Sequence, residues 1–292
     1  MSNFFYSNWT DIIIAFIGAF FGFGLALLIE YWSVRRSKQK EKKALEEETA
    51  KKIEYYTILL EDVVRKTQKQ IDLIGNNIEA QNKNLLYPIP LRRISTSFFT
   101  RLKNIDGRGV FEALVDRFKF DNDWIKKYNN LNSYLDFLEG TLCEELIRIN
   151  KKTLEKGYED QLFIKNLIDE IPNILSREAF VKKQKLGNDR FEDAEYVLIN
   201  EAIAKYRQLA DEKSDLEIFN VELLELLLSN LAPYEAQSYA QSVMFNCKNA
   251  RVRMTDIKSD ISSTILTYKE ITESLSEPIE KVKEIITQLK DN

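Results

Sequence analysis

The sequence predicts an all-α protein, and three observations carry that prediction. Residues 12–29, IIIAFIGAFFGFGLALLI, form an apolar run without a charge. The 292-residue chain holds only 9 Gly and 5 Pro, which leaves few turns and favours long helices over many short strands. Beyond about residue 50 the apolar residues recur in steps of three and four, the period of a helix. The expected architecture has three parts: a short external tail and transmembrane helix (1–34), a basic juxtamembrane run and coiled-coil-like helical stalk (35–87), and a cytoplasmic bundle of long helices (88–292).

The first element is the span. Residues 12–29 reach about 27 Å as a helix, and with Tyr31 to Val34 they match a hydrocarbon core of about 30 Å. Trp9 on one side and Tyr31 and Trp32 on the other stand where interfacial aromatic residues belong. A cleaved signal peptide would carry its basic residues before the apolar run, whereas here they follow it. Residues 1–11 hold no Lys or Arg, while Arg35, Arg36, Lys38, Lys40, Lys42 and Lys43 crowd the other side. That asymmetry predicts an external N-terminus and a cytoplasmic remainder at the inner (cell) membrane, with the six bases in contact with lipid heads. Gly18, Gly22 and Ala26 recur every fourth residue on one helix face, the small-residue spacing that lets membrane helices approach closely, so a homo-oligomer is expected.

Charge bounds the partners. The net charge is −4, yet residues 35–43 carry six bases and one acid, so the rest of the chain is distinctly acidic. Broad nucleic-acid binding is disfavoured, and the lipid bilayer and a protein partner are the expected contacts. There is no histidine, which removes the usual bases for nucleophile activation and the commonest metal ligand. Cys143 and Cys247 lie far apart and read as reduced thiols. Glu144 with Glu145, and Asp256 with Asp260, read as solvated surface. No catalytic residue, cofactor or metal is expected.

After the basic run, Ile53, Thr57, Leu60, Val64, Thr67, Ile71, Ile74 and Ile78 form a seam with heptad steps, either of a coiled coil or of the inward face of an antiparallel bundle. Pro88 and Pro90 close this helix. Residues 91–120 interleave bases with phenylalanines, and Arg92, Arg93, Phe98, Phe99, Arg101 and Arg108 form a candidate patch for a ligand or partner. The competing expectation is a helix that buries Val110, Phe111, Leu114, Val115 and Phe118. Residues 107–109, Gly-Arg-Gly, match no phosphate-loop pattern.

From Asp123 the seam returns through Trp124, Tyr128, Leu131, Leu135, Leu138, Leu142 and Ile149, with Gly157 expected to stop the helix. A helix over about 160–175 and a polar link at Leu186 to Asp189 follow, then a helix from about Phe191 to Ala210. Leu216 to Leu231 is apolar on most faces and is expected at the bundle centre; it is too short and too acidic for a second span. The longest helix then carries Cys247, Ala250, Met254, Ile257, Ile261, Thr264, Tyr268, Ile271 and Leu275. Ser276 and Pro278 are expected to restart a last short helix.

The order of span and helical stalk, followed by Phe98-Phe99, Gly107-Arg108, Val110-Phe111-Glu112 and Leu114, resembles bacterial membrane-anchored abortive-infection proteins, an antiphage family. That pattern commonly has paired hydrophobic segments and a histidine after the phenylalanines, where this chain has one segment and no histidine. The resemblance implies a defence role in which the cytoplasmic part senses infection and the membrane part acts. Two functions are therefore expected in outline: a membrane-anchored, oligomerising protein that senses a cytoplasmic signal or partner, or a passive tether that holds a partner protein through its helical seams.

Overall fold

The computed structural model describes residues 3–118, 122–187, 190 and 192–291. The side chain of Trp9, and residues Lys119, Phe120, Asn188, Asp189, Phe191 and Asn292, lie outside the described residues. The described residues are all-α. Helix α1 (Asn3–Lys83) runs unbroken for 81 residues, about 120 Å at the helical rise. It is followed by α2 (Ser97–Lys103), α3 (Gly107–Arg117), α4 (Asn122–Gly140), α5 (Leu146–Leu186), α6 (Ala194–Asp211), α7 (Leu216–Phe219), α8 (Glu225–Asn230) and α9 (Ser238–Asp291).

Three rods set the architecture. The first is α1. The second is α4 and α5, joined through a π-turn at Thr141–Glu145 into one rod over 122–186. The third is α9, 54 residues long. Two cross-rod pairs fix one direction: Lys156 meets Asp260 and Asn246 meets Leu167, so α5 and α9 are antiparallel, while Lys290 meets Glu61 and so sets the end of α9 beside the middle of α1.

The π-turn follows from the spacing of the leucines. Leu138, Leu142 and Leu146 are separated by two successive four-residue steps, and all three are buried. Two such steps overshoot the 3.6-residue turn, and one extra residue in the turn keeps each side chain inward.

Two apolar cores lie along α9, the first against α1 and α4 and the second against α5. The first holds Ile53, Leu60, Val63 and Ile74 of α1 with Phe98, Leu114, Leu138, Leu275 and Val282. The second holds Ile164, Leu175, Ile199, Leu223, Leu227, Val243 and Ile257. The seam of α1 is thus the inward face of a bundle within one chain, and from Ile53 onward it packs in the first core. Only about 30–52 stands clear as a stalk, since burial begins at Ile53. From Ile29 to Ile53 the helix rises about 36 Å.

Two expected helix ends, at Gly157 and Pro278, are absent, and Pro172, inside the helix expected over about 160–175, is likewise interior to a longer continuous helix. A proline in a helix costs about 3 kcal/mol. Buried Ile168, Ile171 and Leu175 flank Pro172, and buried Leu275, Ile279 and Val282 flank Pro278. Each such side chain contributes about 1.5–3 kcal/mol, so packing outweighs the break. Leu216 to Leu231 is not the central helix either. It is split by a π-turn at Asn220–Leu224 and exposes Ile218, Val221 and Leu226 on its outer side.

The segment from Asn84 to Thr96 has no helix and descends along α1 as a strap. Buried amides of α1 hold its backbone: Gln81 donates to the carbonyls of Asn84 (2.6 Å) and Tyr87 (2.9 Å) and accepts from Ile89 N–H (2.7 Å). Asn77 donates to Ile89 O at 3.1 Å, and Gln70 donates to Arg92 O (3.1 Å) and accepts from Ile94 N–H (3.0 Å). From the other side, Gln161 of α5 donates to Leu86 O at 2.7 Å and Asn150 accepts from Leu91 N–H at 2.9 Å. A strap between helices without these partners would leave buried backbone groups unpaired.

Candidate functional site

The apolar segment is the most exposed hydrophobic surface of the molecule. Phe16, Phe20 and Trp32 are 75%, 74% and 73% exposed, and no part of the apolar window is buried against the chain. This helix is long and apolar enough to cross a membrane. Gly18 and Gly22 have open space where a Cβ would stand, so the small-residue face meets nothing within the chain. Arg35, Arg36, Lys38, Lys40, Lys42 and Lys43 are exposed around the next turns. Among the described residues only Lys42 of the six has an ion pair, with Glu46 at 3.8 Å.

The candidate patch at 91–120 does not assemble. Phe98 and Phe99 are 1% and 2% exposed, in contact with centroids 4.4 Å apart and planes tilted by 36°, and belong to the first core. They cover α1, so neither ring can stack on a ligand. Arg101 is held by Asp62 at 2.8 Å, and Arg108 by Glu112 at 2.8 Å. Asp62 also takes Arg65 and Lys66, and these bonds hold its carboxyl below the ordinary range although its partial burial acts the other way. Arg92 and Arg93 are exposed on the strap. The helix competing for this stretch forms as α3, burying Val110, Ala113 and Leu114.

Sequence reasoning missed a polar waist between the two cores. A cleft of about 230 Å³ opens between α5 and α9. Thr153 and Thr264 hydroxyls meet there at 3.0 Å, and Lys156 pairs with Asp260 at 2.5 Å. Asp160 is buried, with Arg253 Nη1 3.6 Å from one carboxylate oxygen and, among the described residues, no hydrogen-bond donor on the other. Arg253 also stacks on the Phe163 ring at 5.4 Å. Asp260, expected as solvated surface, is thus part of an inter-helix contact. The signal that could have found the waist is the run of polar residues at 153, 156, 160, 260 and 264, each on an otherwise apolar seam.

A second polar cluster closes the far end of the bundle. The Glu195 carboxylate accepts from Lys182 Nζ at 2.7 Å, from Gln237 at 3.2 Å and from the Tyr239 hydroxyl. Burial acts to raise the Glu195 pKa, but these three donors hold it below the ordinary carboxylate value. Burial likewise opposes the Lys182 charge, and Glu195 more than reverses that, raising the Lys182 pKa. The partners are all mutual, so the cluster reads as a clamp joining α5, α6 and α9. Cys247 is buried and its thiol is pushed up to about 12 by that burial, which keeps it unreactive. Among the described residues there is no group of three or more acidic, Cys or His side chains able to hold a metal. Comparison with family models, curated proteins and solved structures finds no match to this chain.

Proposed function

We propose that the chain is a single-pass protein of the inner membrane, with its N-terminus outside and its bundle in the cytoplasm. It associates with further copies through Gly18, Gly22 and Ala26. The bundle receives a cytoplasmic signal or protein partner and passes the response to the membrane helix, with bacterial antiphage defence as the setting that the resemblance around 98–114 suggests. The observation carrying this reading is the continuity of α1. One helix runs from the exposed apolar segment into the first core, without a flexible linker. Any rotation or tilt of the bundle is therefore delivered to the span. The basic run supports the orientation, because Lys and Arg stay on the cytoplasmic side.

The passive tether keeps one observation in its favour: Phe245, Val252 and Leu266 are exposed at seven-residue multiples along the back of α9, a face suited to a docked helix. Gly22→Ile separates the two readings. The variant should reach the membrane at normal levels, since Ile is as apolar as the rest of the span. It should lose cross-linked oligomers and the depolarisation caused by overproduction, because the bulkier residue holds the helices apart. Phe16→Leu, off that face, should change neither. Retention of oligomers and depolarisation in Gly22→Ile would leave the span a tether alone.

A further inference from the structure

A second cavity, about 490 Å³, lies where α5, the α6–α7 turn and the strap meet. Its volume falls within the range of small-molecule sites, about 300–1,000 Å³. The floor is apolar, made by buried Ile168, Leu209 and Phe219. Aromatic rings stand around it: Tyr206 lies 6.1 Å from Phe219 and inclined at 58°, and Tyr87 closes the strap side. The walls are fixed by hydrogen bonds that tie distant parts of the chain. The Tyr87 hydroxyl accepts from Leu216 N–H at 2.9 Å, and the Tyr206 hydroxyl donates to Asp169 at 2.8 Å. Burial, with Asp169 next, pushes the Tyr206 hydroxyl up to about 12, so it stays protonated and committed to Asp169.

The charged lining is unequal. Asp169 is engaged by Tyr206, whereas Lys165 and Lys213 are exposed at the cavity and have no ion pair among the described residues. Lys213 is moreover the one non-glycine residue with positive φ among those described, at 52°. It occupies the position after α6 where the chain turns left-handed: Ser214 N–H reaches back to Leu209 O (3.0 Å) and Lys213 N–H to Ala210 O (3.1 Å). Glycine suits this motif best, because a Cβ is strained there. A lysine therefore stands at the cavity at the expense of local backbone strain, the kind of departure that marks functional positions.

We propose that this cavity binds a small planar organic anion, its flat ring among Tyr87, Tyr206 and Phe219 and its carboxylate or phosphate between Lys165 and Lys213. Aromatic walls favour a ring in offset or edge contact. Two ammonium groups offer six donors to anionic oxygens and leave the site with one net positive charge after Asp169. Because Tyr87 belongs to the strap held by α1, occupancy would reach the membrane helix. That last step rests on the proposed function, whereas binding itself does not.

The test uses the full chain in detergent, with adenosine 5′-monophosphate and salicylate as probes and neutral adenosine as control. Each anion at about 5 mM should raise the melting temperature by about 2 °C or more, and adenosine should not. Lys165→Gln should weaken binding about tenfold with unchanged basal stability. Lys213→Gly should melt higher than wild type without ligand, yet lose the shift. Absence of a shift with both anions in wild type, or a full shift kept in Lys213→Gly, would overturn the assignment. Either failure leaves the membrane reading untouched, since that is judged by topology and oligomer assays.

Discussion

Pro88 of the strap packs directly on Gly157 of α5: a Cβ built on that glycine would stand 2.6 Å from Pro88 Cγ and 3.2 Å from Cδ. The glycine is there for room, and the helix passes through it. This contact lets the strap lie between α1 and α5, where the amides of Gln70, Asn77 and Gln81 can reach its backbone.

Gly157→Ala should therefore destabilise the protein, against the helix preference for alanine. Propensity alone favours Ala by about 1 kcal/mol. Overpacking against a ring costs about 1–3 kcal/mol, so a net loss of about 1–2 kcal/mol is expected by thermal or urea unfolding. Pro88→Ala in the same chain should recover much of it, and a double-mutant cycle measures the coupling.

Gln81 should matter more than its polarity suggests. Gln81→Leu fills similar space but strands two carbonyls and one N–H of the strap. Each unpaired buried group costs about 1–3 kcal/mol. A loss of at least about 2 kcal/mol is expected, with new protease cleavage between residues 84 and 96. Unchanged stability and no new cleavage would mean that water replaces these bonds freely.

The α9 seam makes a sharper contrast. Ile261 is 2% exposed, so Ile261→Asp should cost several kcal/mol through an unpaired buried charge. Lys258 is on the outer side and pairs with Glu217 at 2.8 Å, both partly exposed. Lys258→Asp should cost less than about 1 kcal/mol, and wild-type melting of Ile261→Asp would show that the seam faces water.

The Glu195 clamp predicts a pH dependence. Its folded pKa is depressed below 4.5, so its contribution is present above pH 4.5 and is lost as pH falls through the lower folded value. Lys182 and Tyr239 are raised, so their contributions are present below 10.5 and 10.0 and are lost as pH rises beyond those values. Stability scans should show an acid limb that Glu195→Gln flattens. An identical acid limb in that variant would remove Glu195 from the account.

Periodicity made most of this fold legible. Ile53, Leu60 and Ile74 on α1, and Cys247, Ala250, Met254, Ile257, Ile261, Tyr268, Ile271 and Leu275 on α9, are all buried where their spacing put them. Helix ends were less legible. Gly157 and Pro278 carry the local chemistry of a stop, and only long-range packing, invisible in one sequence, overrides it. The burial of the phenylalanines in the Phe and Arg stretch was illegible for the same reason. Phe98 and Phe99 have the composition of a stacking platform, but α1 lies over them. The polar waist and the strap cavity depend on residues more than a hundred positions apart, such as Thr153 with Thr264 and Tyr87 with Leu216. No spacing rule joins them.

In the proposed topology residues 12–29 cross the membrane once and leave the whole bundle on the basic side. Reporter fusion after the last residue tests it most directly. A fluorescent protein fused there should be bright, and alkaline phosphatase should be inactive, if the bases at 35–43 keep that side in the cytoplasm as the positive-inside rule predicts. Active phosphatase with a dark fluorescent fusion would contradict the orientation and, with it, the proposal that the bundle reads a cytoplasmic signal.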